Sequence, residues 1–241
     1  MTTPTYKPTS TYEQEISVIH LAQRLMNIEV FRMLSEDSLT RVARLATYRR
    51  LKTDEVVCEQ GELWPNVILL TAGQLRWSLL ALSGREQVLF HIEPNHTFWG
   101  HTFYDDHPMP GSLVAVRSSV AYQWNGEDLK PFFSEYPETL WELFRLQARS
   151  MRKAREIIYG LAFQPVAGRL AKLLLERSQG HRAKPIERDL TLSEIASIVA
   201  SSQQVICRLL YQFQSDGILQ INRASITIQD FPALEQITEE D

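Results

Sequence analysis

Residues 191–228 read TLSEIASIVASSQQVICRLLYQFQSDGILQINRASITI, and this stretch decides the fold of the C-terminal part of the chain. Thr191 and Glu194 stand three apart, the spacing of a capping box, and Leu192, Ile195, Ala196 and Val199 supply an apolar face at helical spacing. Ala200, Ser201 and Ser202 are small enough for a tight turn, and Ser201 with Gln204 repeats the cap-like spacing. A second helix then carries Val205, Ile206, Leu209, Leu210 and Phe213 inward, while Gln203, Gln204, Arg208 and Gln212 project from a different face. Asp216-Gly217 stops that helix, and Ile218–Ile228 alternates as two strands around Asn222–Ser225. Helix, turn, helix and hairpin in this order predict a winged helix-turn-helix, whose second helix enters a DNA major groove.

The rest of the composition fits a DNA reader once charge is mapped along the chain. The overall net charge is −4. Residues 1–144 hold 12 Lys/Arg against 18 Asp/Glu, a net of −6, whereas residues 145–228 hold 13 against 6, a net of +7. The last 13 residues carry five acids and no base. The basic excess thus coincides with the helix-turn-helix, as phosphate neutralisation requires. A length of 241 residues suits two domains, each with its own core. Apolar runs fall short of the roughly 18 residues that cross a bilayer, and the N-terminus lacks an apolar signal core, so no membrane and a cytoplasmic location are expected. Cys58 and Cys207 are the only cysteines, too few for a disulfide framework, an all-cysteine cluster or a structural zinc site.

Upstream, a Thr/Pro/Tyr-rich start reads as a mobile lead-in, followed by helical patterns around Val18–Met26 and Asp37–Tyr48. From Lys52 to Leu129 the pattern changes to short β runs: Glu55–Cys58, Val67–Leu70, Gln74–Leu82, Gln87–His91, Val114–Val116 and Ala121–Trp124. Gly61, Gly73, Gly84 and Gly100 punctuate them, which predicts an antiparallel roll or barrel. The absence of βαβ alternation argues against a Rossmann-type enzyme.

After Pro137 one long helix is predicted. Leu140, Phe144, Gln147, Met151, Ala154, Ile158 and Leu161 advance by alternating steps of four and three, the a/d seam of a coiled coil. This seam predicts a parallel homodimer, weighed against a helix packed on its own β domain. Gln164-Pro165 ends the helix and reads as a hinge. A helix at Val166–Arg177, a polar linker at Ser178–Asp189 and the winged motif complete the chain. The expected divisions are 1–136 for helices and roll, 137–164 for the dimerisation helix and hinge, and 165–241 for the DNA-binding domain. Two recognition helices related by a two-fold axis meet successive major grooves about 34 Å apart and read an inverted repeat.

This order of parts resembles the CRP/FNR family of transcription regulators over about residues 28–229. The likeness is carried by Phe31–Leu34, Leu39, Gln60-Gly61-Glu62, Leu69–Leu75, Gly84, Phe98-Trp99-Gly100, and Leu161-Ala162-Phe163 with Val166, Arg169 and Leu170. It implies an α+β chain with an N-terminal cyclic-nucleotide-binding-like β-roll, a long dimerisation helix and a C-terminal winged helix-turn-helix. It also implies a DNA-binding regulator rather than an enzyme, with double-stranded DNA, a second copy of itself and RNA polymerase as partners.

Departures from the family's pattern bear on the effector. Cyclic-AMP-binding relatives hold ribose and phosphate with a Gly-Glu and an Arg-Ser pair; here the first reads Gly100-His101 and the second falls at Pro110-Gly111-Ser112, without an arginine. A buried cyclic phosphate without a cation is poorly compensated. On the long helix, where such relatives place hydroxyls, stand Ala154 and Arg155, and the N-terminal cysteine cluster of the oxygen-sensing branch is missing. Arg76, Trp99, Gly100, His101 and Arg155 are the candidates for a pocket with another effector; an organic anion on Arg76, Arg85, Arg117 and Arg155 is one option. No cofactor is expected; haem or a metal on the His91, His96 and His101 region competes with loop histidines that face water or bond locally.

The resemblance also places the DNA contacts. The recognition helix reads Ser202-Gln203-Gln204-Val205-Ile206-Cys207-Arg208, and Arg208 keeps the position that reaches guanine. Gln203 and Gln204 replace an Arg-Glu pair with amides suited to adenine N6/N7. Ser202, Arg169, Arg223 and Ser225 are the phosphate-contact candidates. Two other functions compete: a regulator that binds DNA without any effector, and a cupin-like metalloenzyme suggested by His91-Ile92-Glu93 and His96. The enzyme lacks the His-x-His pair and leaves the winged helix unexplained.

Overall fold

A computed structural model describes residues 11–180 and 185–239. The Thr/Pro/Tyr-rich start, four residues of the polar linker and the last two acids lie outside the described residues. The chain divides into two compact units, Met1–Leu80 with Phe90–Met151, and Ala81–Leu89 with Arg152–Asp241.

In the first unit, helices α1 (Thr11–Leu25) and α2 (Glu36–Leu45) precede the strands β1 (Thr47–Leu51), β2 (Val56–Cys58) and β3 (Asn66–Leu80). Next come β4 (Glu86–Ile92), whose first half is assigned to the second unit, then β5 (Thr97–Trp99), a short helix α3 (Thr102–Asp105), β6 (Ser112–Asn125) and α4 (Lys130–Glu135). Helix α2 ends sooner than the sequence pattern suggests, because Ala46 turns extended and Thr47–Leu51 pairs along β6. The runs 67–70 and 74–82 fuse into one strand, as do 114–116 and 121–124. The strands run β1-β6-β3-β4, with β2 also on β6 and β5 also on β3. The β3–β6 ladder shifts register between Leu70 and Leu75. Gly73 sits in that irregularity with φ +91°, and its Cα packs so tightly on Ser119 that a side chain has no room. Alternation along β3 and β5 sends Val67, Leu69 and Trp99 into a core with α1, α2 and α4, including Phe31, Leu39, Val42 and Phe133. Trp124 completes this core and donates its indole N–H to the Val42 carbonyl at 2.8 Å.

Helix α5 runs unbroken from Glu138 to Phe163, and the two compact units meet within it, after Met151.

The second unit continues with α6 (Val166–Ser178), β7 (Ile186–Glu187), α7 (Leu192–Val199), α8 (Gln203–Ser215), β8 (Leu219–Ile221), β9 (Ser225–Ile228) and α9 (Phe231–Glu239). A three-stranded sheet has the order β7-β9-β8. Strand β7 lies in what reads as linker; two residues are too short to announce a strand, and pairing of Ile186 with Ile226 makes it one. The acidic tail likewise begins as helix α9, buried through Phe231 and Leu234. Leu170, Leu174, Ile195, Ile206, Leu210 and Phe213 form the centre of this unit's core.

Candidate nucleic-acid interface and the roll interior

The start of α7 is locked locally. Thr191 Oγ1 accepts from the Glu194 N–H at 3.2 Å, and Glu194 Oε2 accepts from the Thr191 N–H at 2.7 Å, closing the capping box. The helix ends at Ala200, left-handed at φ +54°, and the turn hands over to α8. The cap of α8 is Ser202 and not Ser201: its hydroxyl accepts from the Val205 N–H at 3.4 Å, which shifts the expected cap by one residue. Ile206, Leu209, Leu210 and Phe213 are buried, so the helix has one solvent face. Gln203, Gln204 and Arg208 all stand exposed on it. Gln204, Arg208 and Tyr211 follow at i, i+4 and i+7, and Tyr211 is 69% exposed. Sequence reading missed Tyr211 as a surface residue, although its spacing from Arg208 gave the signal.

The wing turn is built by Asn222. Its side-chain oxygen accepts from the N–H groups of Ala224 and Ser225 at 2.9 and 2.7 Å, and its amide reaches Ser225 Oγ at 3.0 Å. Ser225, expected at a phosphate, therefore has its hydroxyl engaged in the turn. Arg188 braces the other side, donating to the Asn222 carbonyl at 2.8 Å. Arg223 is exposed at the tip. Arg169 is the clear correction among the expected phosphate contacts. Its guanidinium is half-buried and donates to four main-chain carbonyls inside its unit, and burial lowers its pKa from the ordinary value. Arginine remains charged throughout the working pH range.

The seam of α5 keeps its apolar side chains in solvent. Phe144, Met151 and Ile158 are 62%, 73% and 65% exposed, and Leu140, Ala154 and Leu161 are exposed as well. Gln147 differs: it is half-buried and hydrogen-bonded to the Tyr104 side chain. Burial pushes the Tyr104 hydroxyl above its ordinary pKa, and the Gln147 bond pulls the other way.

The residues expected to line an effector pocket have different surroundings. Trp99 faces the helical core, its ring beside Phe31, Phe103 and Phe133, with its N–H on Thr97 Oγ1 at 3.0 Å. Gly100 lies against the Trp64 carbonyl, a close approach that excludes any side chain. His101 stacks on Trp77, centroids 5.5 Å apart and planes at 12°. Its buried Nδ1 has no hydrogen-bond partner, and burial lowers the imidazole pKa below its ordinary 6.5, with Asp105 opposing the shift. Arg76 is half-buried on β3, opposite Val114, and Arg155 is exposed on α5. Trp77 reaches further: a Cβ on Gly111 would lie 3.0 Å from its ring. The indole thus lies against both His101 and Gly111.

The other histidines lie apart from this stack. His96 is exposed, with Nδ1 3.3 Å from both the Glu93 and Pro94 carbonyls, and His107 Nδ1 bonds the Asp105 carbonyl at 2.6 Å. Groups of three or more His, Cys, Asp or Glu arranged to hold a metal are absent among the described residues. Burial pushes the Cys58 thiol up to about 12, with the Leu113 backbone bond opposing, which keeps it unreactive. Among the described residues, helices long and apolar enough to cross a membrane are absent.

Two families match, one on each side of the long helix. The cyclic nucleotide-binding domain matches residues 48–136, and the Crp-like helix-turn-helix domain matches residues 168–237. The chain belongs to the CRP/FNR family of transcription regulators. It is 26% identical over 179 residues to the CRP-like cAMP-activated global transcriptional regulator of Mycobacterium tuberculosis, covering 72% of this chain and 80% of that one. It is 23% identical to the transcriptional activator protein anr of Pseudomonas aeruginosa, over 80% of each. A solved structure of a CooA mutant from Carboxydothermus hydrogenoformans shares the fold, with a TM-score of 0.70 at 20% identity, covering 82% of this chain and 90% of that one. This CRP/FNR member is a DNA-binding transcription regulator with the α+β architecture of the family, and family and fold are those of regulators rather than enzymes.

Proposed function

We propose that the chain works as a parallel homodimer that reads an inverted repeat, with α8 of each copy in a major groove. The observation that carries this is the α5 seam. Apolar residues at 3.5-residue spacing stand in solvent in the single chain, where a helix packed on its own domain would bury them. Gln203 and Gln204 read adenine edges, Arg208 reads guanine, and Ser202 and Arg223 lie toward phosphates. RNA polymerase is the further partner, and the cytoplasm, where both DNA and polymerase are found, is the working compartment.

Control of this dimer does not run through cyclic AMP on this reading. Although a relative is named as cAMP-activated, Trp77 here lies against His101 and Gly111, in the two segments at which the nucleotide's ribose and phosphate are held, and His101 stands in place of the ribose-binding carboxylate. A roll packed in this way favours DNA binding without an effector over control by a different one.

The test is sedimentation of the wild type and Met151→Glu at micromolar concentration. A glutamate at this position places two unpaired charges in the dimer seam, each worth about 3 kcal/mol or more. The wild type is expected to sediment as a dimer and the variant as a monomer with intact helical content. A monomeric wild type, or a variant that remains dimeric, contradicts the reading.

A further inference from the structure

Arg169, at the fourth position of α6, joins the C-terminal ends of α7 and α5. Its Nε donates to the Val199 carbonyl at 2.8 Å and one terminal nitrogen to the Ala200 carbonyl at 3.4 Å, both at the C-terminal end of α7. The other terminal nitrogen donates to the Gln164 and Gly160 carbonyls at 2.5 and 3.3 Å, at the C-terminal end of α5. These carbonyls lie at or just past the two helix ends, the Gly160 carbonyl also accepting the Gln164 N–H at 3.0 Å, and a cation beside them complements both helix dipoles. The stem passes over Gly160, where a Cβ would sit 3.6 Å from Arg169 Cδ.

A second brace acts at the same place. The Gln164 side chain donates to the Thr238 carbonyl of α9 at 3.2 Å. The Gln164-Pro165 break is therefore tied to α9 as well as to the Arg169 guanidinium. A residue that merely stabilised the helix-turn-helix would bond α7 alone. Arg169 divides its planar fork between α7 and α5, a task a lysine's single ammonium performs only in part.

We propose that Arg169 is a positioning residue: it fixes the helix-turn-helix to the end of the dimer helix and thereby sets the half-site spacing that the dimer accepts. This rests on the homodimer reading above. One inserted base pair rotates and translates one half-site relative to the other, and only a rigid connection penalises it.

The experiment measures binding of the full chain to three duplexes: the paired half-sites at the preferred spacing, the same with one base pair inserted, and an isolated half-site. The wild type should prefer the first over the second by at least roughly tenfold. Arg169→Met should lower that preference to within about twofold, with half-site affinity unchanged within about twofold, and Arg169→Lys should fall between. If Arg169→Met does not fold, Arg169→Lys carries the same readout. A spacing profile unchanged in the folded variants overturns the proposal, as does a parallel loss of half-site binding with spacing preference retained. A wild type with no preference for paired half-sites overturns the homodimer reading instead, and the proposal with it.

Discussion

The winged unit and the roll use their functional positions in opposite ways. In the winged unit, the residues marked for contact, Gln203, Gln204 and Arg208, stand exposed on a helix whose other face is buried through Ile206, Leu209, Leu210 and Phe213. In the roll, three of the residues marked for a ligand are packed: Trp99 is core, Gly100 abuts Trp64, and His101 lies flat on Trp77. The difference teaches that a position marked by its place in a motif can serve contact on one unit and packing on the other.

The largest expected effect comes from removing the Trp77 indole. Trp77→Ala should destabilise the chain by about 3–5 kcal/mol, as removal of a buried tryptophan does, read by urea unfolding. Binding of cyclic AMP to the opened roll, detected by calorimetry in the variant and not in the wild type, would sharpen the contrast. A cost under about 1 kcal/mol would show that Trp77 is not packed. Next, Arg208→Ala should cost about 1–3 kcal/mol per half-site and relax the preference for guanine, with folding unchanged; an equal loss on all sequences would reassign Arg208 to phosphate.

How much of this was legible in the sequence follows from the physics of each region. Helix faces obey a 3.6-residue period, so the buried and exposed sides of α8 and the seam of α5 could be read residue by residue. The capping box at Thr191 was legible because all its parts lie within four residues. The roll was legible as strands, but not as a pocket. Which side chains meet across β3, β5 and β6 depends on register, and the shifts near Gly73 are set by tertiary contacts with Ser119. Arg169 was misread for the same reason: its partners lie at Gly160, Gln164, Val199 and Ala200, and only the fold brings them together.

Two smaller effects probe each side of the comparison. Thr191→Ala removes one half of the capping box and should cost about 1 kcal/mol in the stability of the winged unit, measured by thermal melting; no change would mean the box contributes nothing there. On the roll side, the folded pKa of His101 lies below 6.5, so the neutral form is favoured by folding. That contribution is complete above 6.5 and is lost as pH falls through the depressed folded value. His101→Phe, which keeps a ring on Trp77, should flatten the decline of stability as pH falls below about 6.5. An unchanged slope would place the titrating group elsewhere.

The most direct test of the central claim is selection of bound sequences from random duplexes by the purified full-length protein without added effector. The expected product is an inverted repeat whose half-sites lie about 34 Å apart or a multiple of that, with adenine opposite Gln203 and Gln204 and guanine opposite Arg208. Enrichment of an unrepeated half-site, of the cyclic-AMP-type consensus, or of no sequence at all would contradict it.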